Sequence, residues 1–127
     1  MIPTDTERWA PVVGHEGKYE VSDLGRVRSV DRAIQTKRGT WTYKGKLLKP
    51  GRMSTGYLSV ALGRGNSVMV QWMVLEAFVG PRPDLHDADH INRTRDDNRL
   101  TNLRWLHRTA NRQYLGRWFG KYQGVRL

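Results

Sequence analysis

Hydrophobic and polar positions alternate along much of the first half of the chain and take up a helical period only once. Tyr19-Glu20-Val21 and Arg26-Val27-Arg28-Ser29-Val30 alternate as half-buried strands do. Asp23-Leu24-Gly25 between them is a turn signal. Thr40-Trp41-Thr42-Tyr43 and Tyr57-Leu58-Ser59-Val60-Ala61-Leu62 continue the strand pattern, punctuated by Lys44-Gly45, Pro50-Gly51, Thr55-Gly56 and Gly63-Arg64-Gly65-Asn66. Trp9 to about Leu62 therefore predicts a small β-rich lobe, with Trp41 and Tyr43 assigned to its core. Val70, Met73, Val74, Ala77 and Phe78 then fall at i, i+3, i+4, i+7 and i+8, which is one face of a helix. Gly80-Pro81-Arg82-Pro83 ends it. Leu85–Ile91 predicts a short strand, Asn92–Asn102 a polar loop, Leu103–Leu106 a second strand, and a helix begins near Arg108 or Thr109. The predicted class is α+β: residues 1–66 as a β-rich lobe, 67–115 as a helix followed by a strand–loop–strand–helix unit, and 116–127 as a basic, aromatic tail.

At 127 residues the chain suits one compact domain or two small lobes sharing a core. A hydrophobic content of 38% limits that core, and the five tryptophans are expected to help fill it. The absence of cysteine excludes disulfides and thiolate zinc sites, so any metal must be held by His, Asp, Glu, Asn or backbone oxygen. Met1-Ile2-Pro3-Thr4-Asp5 lacks the basic and apolar regions of a signal peptide. The longest apolar run, near Val68–Val79, is broken by Gln71 and Glu76 and is too short to span a bilayer. These features predict a soluble protein of the cytoplasm with no membrane partner.

Charge narrows the partner. The formal net charge is +10. Between Leu24 and Leu75 the only acid is Asp31, among ten Lys or Arg, and from Arg104 to Leu127 there is no acid at all. Between them, Glu76, Asp84, Asp87, Asp89, Asp96 and Asp97 make a locally acidic centre. A basic run alone is usually a solvated face, but two basic blocks around an acidic pocket suit a polyanion held at its backbone beside a cation. Arg26 and Arg28 share one side of a strand, and Lys37, Arg38, Lys44 and Lys46 cluster around the next hairpin, as a two-stranded ribbon in a major groove would place them. Arg104, Arg108 and Arg112 extend the set of candidate DNA contacts.

The acidic centre carries the candidate chemistry. Hydrolysis of a phosphodiester needs a deprotonated water, stabilised phosphoryl oxygens and a neutralised leaving oxygen. A histidine suits the first task, and His90 is the candidate; a divalent cation can do the other two. Asp89 and Asn111 can supply oxygen ligands for one hard ion, Mg²⁺ or Mn²⁺ before Zn²⁺. Neighbours on an extended strand point to opposite faces, so the loop after His90 has to bring Asp89 and His90 to a common site. Asn98 and Asn102 read as loop residues, with Asn102 the better candidate for tying the loop down.

The stretch Asp89-His90-Ile91-Asn92, Asp97-Asn98-Arg99-Leu100-Thr101-Asn102-Leu103-Arg104-Trp105 and then Asn111 resembles the HNH homing endonucleases of phages, which are ββα-metal nucleases. Leu75-Glu76-Ala77-Phe78-Val79-Gly80 is similar to the helix before that motif. The run from Trp9-Ala10-Pro11-Val12 to Leu24-Gly25-Arg26-Val27-Arg28-Ser29 is similar to the nuclease-associated modular domain that precedes it. The resemblance implies a metal-dependent endonuclease acting on double-stranded DNA and leaving a 5′-phosphate and a 3′-hydroxyl. It makes His90 the general base, Asp89 and Asn111 the metal ligands, and Asn102 the asparagine that braces the loop and orients His90. It sends the β-rich lobe to the major groove and the ββα helix towards the minor groove. One site per chain suits a monomer that nicks one strand, with a dimer left open. Gln71-Trp72 departs from the His-Arg usual on the preceding helix, which implies altered packing or phosphate contact. His107 departs from a small hydroxyl residue and is an accessory candidate for the same site. The alternatives are a non-catalytic DNA-binding protein on an HNH scaffold and, from charge alone, an RNA-binding protein.

Overall fold

The computed structural model describes residues 6–110. Asn111, Arg112 and the 116–127 tail lie outside the described residues. Among the described residues, ten short strands and the helix Val70–Phe78 form an α+β arrangement in four antiparallel sheets. β1 (Trp9–Pro11), β2 (Tyr19–Ser22) and β3 (Val27–Ser29) form the first sheet. β4 (Arg32–Thr36) and β5 (Gly39–Tyr43) form a two-stranded hairpin, and β6 (Gly51–Arg52), β7 (Leu58–Ala61) and β8 (Ser67–Met69) the third sheet. α1 (Val70–Phe78) follows β8 directly, and β9 (His86–His90) and β10 (Leu103–His107) make the last pair.

The turn at Asp23-Leu24-Gly25 closes as its residues require. The Gly25 N–H donates to the Ser22 carbonyl at 3.0 Å, and Gly25 sits at φ +85°, where a side chain is disfavoured. The Ser22 hydroxyl, fully buried, accepts the N–H groups of Leu24 and Arg26 across the same turn.

α1 spans the predicted residues, yet its burial is wider than one stripe. Val70, Met73 and Val74 are buried as the period demands, but so are Leu75 and Gln71. The helix lies against β1 and β2, β7 and β8, and β9 and β10, so it is covered from several sides and its polar face is narrow. The amides of Val79 and Gly80 both donate to the Leu75 carbonyl, and Gly80 at φ +139° turns the chain away before Pro81.

One core joins most of the described elements. Val12, Val21 and Val27 from the first sheet meet Val60 and Leu62 from the third, the α1 residues, and Leu103 of β10. Each fully buried aliphatic side chain here stabilises the fold by about 1.5–3 kcal/mol. Trp105 sits at its margin. Trp72 of α1 and Trp105 of β10 pack edge to face at 5.1 Å, and the Trp105 indole N–H donates to the Gly80 carbonyl at 3.1 Å.

Trp41 and Tyr43 are not core residues. Among the described residues no other strand or helix is layered on the β4–β5 hairpin: Trp41 is 65% exposed, and Ile34, its cross-strand partner, is 40% exposed. Aromatic alternation identified the strand correctly but not its surroundings. The strands Trp9–Pro11, Arg32–Thr36, Gly51–Arg52 and Ser67–Met69 were not anticipated. They are two to five residues long and take their identity from the strand they pair with.

Candidate active site

The β9–β10 pair aligns Asp89 with Arg104 and His90 with Leu103. β9 enters the interior as it proceeds, from half-buried His86 to buried Asp89 and His90, 4% and 5% exposed. The two side chains then take different partners, as strand alternation requires. The Asp89 carboxylate receives the Arg104 Nε at 2.8 Å on Oδ2 and an Arg93 guanidinium nitrogen at 3.4 Å on Oδ1. Arg104 reaches it because it stands directly opposite in register; Arg93 reaches back because the chain reverses just beyond β9, with Arg93 at φ +67°. Two cations compensate the loss of water around a buried carboxylate.

His90 faces the other way. Its Nε2 lies 2.8 Å from the Asn98 carboxamide oxygen, and its ring stacks on Tyr57 at 5.6 Å with the planes 25° apart. Both partners were passed over in the sequence: Asn98 read as an ordinary loop residue and Tyr57 as a strand residue.

Asn102 braces the loop. Its carboxamide oxygen accepts the Asn92 N–H at 2.9 Å, and its amide donates to the Asn92 side-chain oxygen and to the Asp97 carbonyl, each at 2.9 Å. Asp97 in turn receives the Asn92 amide and two bonds from Arg99. The Arg99 guanidinium, followed by the Asn92 amide, holds the Asp97 carboxyl well below the usual carboxylate range, against the opposing effect of burial. The asparagine side chain bonded to the His90 ring is that of Asn98, while the Asn102 carbonyl accepts the N–H of Ile91, the residue after β9, at 2.8 Å.

The basic candidates divide by what holds them. Arg26 and Arg28 do share a face, both lying over the Trp9 ring, and each is bound to a carboxylate, Arg26 to Glu7 and Arg28 to Glu20. The Arg26 bond keeps the Glu7 carboxyl below its ordinary value. Lys44 pairs with Asp31 at 3.3 Å, Arg108 with Asp87 at 3.4 Å, and Arg104 with Asp89. Lys37 and Arg38 stand exposed in the turn of the β4–β5 hairpin, and Lys46 is exposed beside Ser29, which its backbone holds.

His107 is remote from His90. It pairs across the strands with His86, four register steps from the His90 row or about 13 Å along a strand. Its ring meets His86 edge to face at 5.2 Å, and its Nδ1 accepts the Thr109 N–H at 3.1 Å where helical structure begins at Arg108. That is a capping position, which explains a histidine where a small hydroxyl residue is usual. Gln71 and Trp72 also have structural settings. Gln71 is buried with its amide on the Met69 sulfur, and Trp72 packs on Trp105 beneath Arg82.

No group of three His, Cys, Asp or Glu side chains converges among the described residues. A cation at Asp89 would thus find one carboxylate and otherwise amide, backbone or water oxygen, a donor set that fits a hard divalent ion. Each Asp89 oxygen keeps a lone pair beyond the one facing its arginine. No described helix is long and apolar enough to cross a membrane.

Comparison with known proteins joins these observations. Residues 7–63 match the NUMOD4 motif and residues 68–113 match the HNH endonuclease family. The DNA endonuclease I-HmuI of Bacillus phage SP01 is 30% identical over 106 residues, 81% of this chain and 54% of that protein. A solved structure of DNA binding and cleavage by the HNH homing endonuclease I-HmuI superposes with a TM-score of 0.68 at 26% identity, covering 94% of this chain and 62% of that one. The chain spans about half the length of the curated relative it matches.

Proposed function

The chain belongs to the HNH endonuclease family, with a NUMOD4 motif ahead of the HNH unit, and from that premise we propose that it hydrolyses phosphodiester bonds of double-stranded DNA. The observation that carries this reading is the buried pair at the end of β9: His90 with its ring held by Asn98 and Tyr57, beside the equally buried Asp89. A surface Asp-His pair would need neither burial nor such partners.

In this reading His90 takes the proton of the attacking water. Its packing fixes the ring, so little reorganisation is needed when the water arrives. Asn102 keeps the 92–102 loop in the shape that presents Asn98, through its three bonds to Asn92 and Asp97. Asp89 and Asn111 would hold one divalent cation, Mg²⁺ or Mn²⁺, which would supply charge neutralisation at the phosphoryl and leaving oxygens. Arg104, already turned to Asp89, lies where it can meet a phosphate that approaches the carboxylate. The exposed β4–β5 hairpin, with Lys37 and Arg38 at its tip, enters the major groove and contacts mainly phosphates. One site per chain cuts one strand per binding event, so a nick with a 5′-phosphate and a 3′-hydroxyl is the expected product.

The test is supercoiled plasmid incubated with the full chain in EDTA, then with Mg²⁺ or Mn²⁺ in excess, with the ends mapped by ligation and end-labelling. Relaxed circles that form only with the metal and can be resealed by ligase support the proposal. Full cleavage in chelator overturns the metal requirement. Tight duplex binding with no cleavage under any condition returns the non-catalytic DNA-binding alternative.

A further inference from the structure

We propose that Asn98 is a positioning residue that sets the tautomer and orientation of His90, and that the Asp23–Gly25 turn of the N-terminal lobe holds Asn98 in place. This inference rests on the reading of His90 as the base.

The first argument is chemical. A carboxamide oxygen only accepts hydrogen bonds. With the Asn98 oxygen 2.8 Å from Nε2, the neutral ring must carry its proton on Nε2. The lone pair is then on Nδ1, the nitrogen able to take a proton from water. The amide turned end for end would reverse this, placing the proton on Nδ1 and silencing that nitrogen as a base. The tautomer is therefore a direct readout of what Asn98 does.

The second argument is the cost of keeping Asn98 where it is. The residue is 4% exposed, and its amide nitrogen is buried with no hydrogen-bond partner among the described residues. Asn92, exposed in the same loop, satisfies its amide on the Asp97 carboxylate and its oxygen on the Thr94 N–H. The Asn98 side chain gives up one polar group so that the other can reach His90.

The third argument is the clamp. A Cβ added at Gly25 would sit 2.8 Å from the Asn98 Cβ and 2.8 Å from its carbonyl oxygen. The turn and Asn98 thus meet with no room for a methyl group. The Leu100 N–H donates to the Asp23 carbonyl at 2.8 Å, tying the same turn to the same loop. Tyr57, just before β7, closes the face of the His90 ring. Gly25 and Tyr57 both lie within the segment matching the NUMOD4 motif, and His90 and Asn98 within the HNH match. The lobe proposed to bind DNA therefore also supports the ring proposed to cut it.

Two variants and two readouts test this. Asn98→Leu keeps the branched shape and removes the acceptor; Asn98→Asp keeps an accepting oxygen at the same reach. Long-range ¹H–¹⁵N correlation of the His90 ring, at a pH where it is neutral, is expected to show the Nε2–H form in the parent protein and in Asn98→Asp. Asn98→Leu is expected to show a mixture of tautomers. Single-turnover nicking of plasmid should fall roughly 10- to 100-fold in Asn98→Leu, part of what a general base contributes, with duplex affinity unchanged, and should recover substantially in Asn98→Asp. An Nδ1–H tautomer in the parent protein overturns the proposal, and that result does not depend on any variant folding. So does Asn98→Leu with parental tautomer and rate. Cleavage that survives His90→Ala sinks the base assignment instead, and leaves the tautomer measurement to judge Asn98 on its own.

Discussion

Replacing Asn102 by alanine probes the loop that carries half of the site. The side chain is 6% exposed and makes three hydrogen bonds, two to Asn92 and one to the Asp97 carbonyl. Alanine removes all three and leaves the Asn92 N–H and the Asp97 carbonyl to find water at a partly buried site. At about 1 kcal/mol per bond, discounted for the partial exposure of the partners, the loss is about 2–3 kcal/mol. For a chain of this size that lowers the midpoint of thermal unfolding by roughly 10 °C. Asn102→Asp sharpens the test. It keeps the oxygen that serves the Asn92 N–H but sets a carboxylate against two acceptor oxygens, so it should be no more stable than alanine. Thermal unfolding followed by circular dichroism measures both, and hydrogen exchange at the Asn92 and Ile91 amides reports whether the loss is local. A shift below about 2 °C for both variants, with protection at Asn92 unchanged, would refute the bracing role.

Asp97→Asn should destabilise the protein at neutral pH through loss of the charge-assisted bonds to Arg99. Because the Asp97 carboxyl is held below its ordinary value of 3.8, its contribution is complete above that value and fades as pH falls towards the lower folded-state pKa; urea titrations in which the gap between the two proteins stays constant from pH 7 to pH 2 would contradict this. Trp41→Ala should leave unfolding within about 2 °C of the parent, as an exposed substitution does, while duplex binding weakens several-fold by gel shift. A large fall in stability would restore Trp41 to a core. Lys37→Ala with Arg38→Ala should flatten the slope of log K against log salt by roughly 2; an unchanged slope would take the hairpin tip off the phosphates.

Legibility of the sequence followed how local each cause was. The helix over Val70–Phe78 was plain because five apolar side chains recur on one period, and β9 and β10 were plain because a polar loop without period separates them. What the helix buries on its other sides, Leu75 and Gln71, was not legible, since that depends on sheets remote in the sequence. Trp41 and Tyr43 mark a strand truly and a core falsely: alternation states which side chains share a face, never whether another layer covers it. The Asp89–His90 pair and the bracing asparagine stood out by residue type and spacing. Asn98 did not. An asparagine in a polar loop looks like any turn residue, and its distinction comes from Gly25, more than seventy positions earlier, pressing against it.

The central claim is that a cutting centre resides at the end of β9, separable from the surface that binds DNA. The most direct measurement sets the parent chain and His90→Ala side by side on supercoiled plasmid with Mg²⁺ or Mn²⁺, with duplex affinity measured on the same preparations. The account predicts nicking by the parent, none by His90→Ala, and equal binding by both. Undiminished nicking by His90→Ala would contradict it.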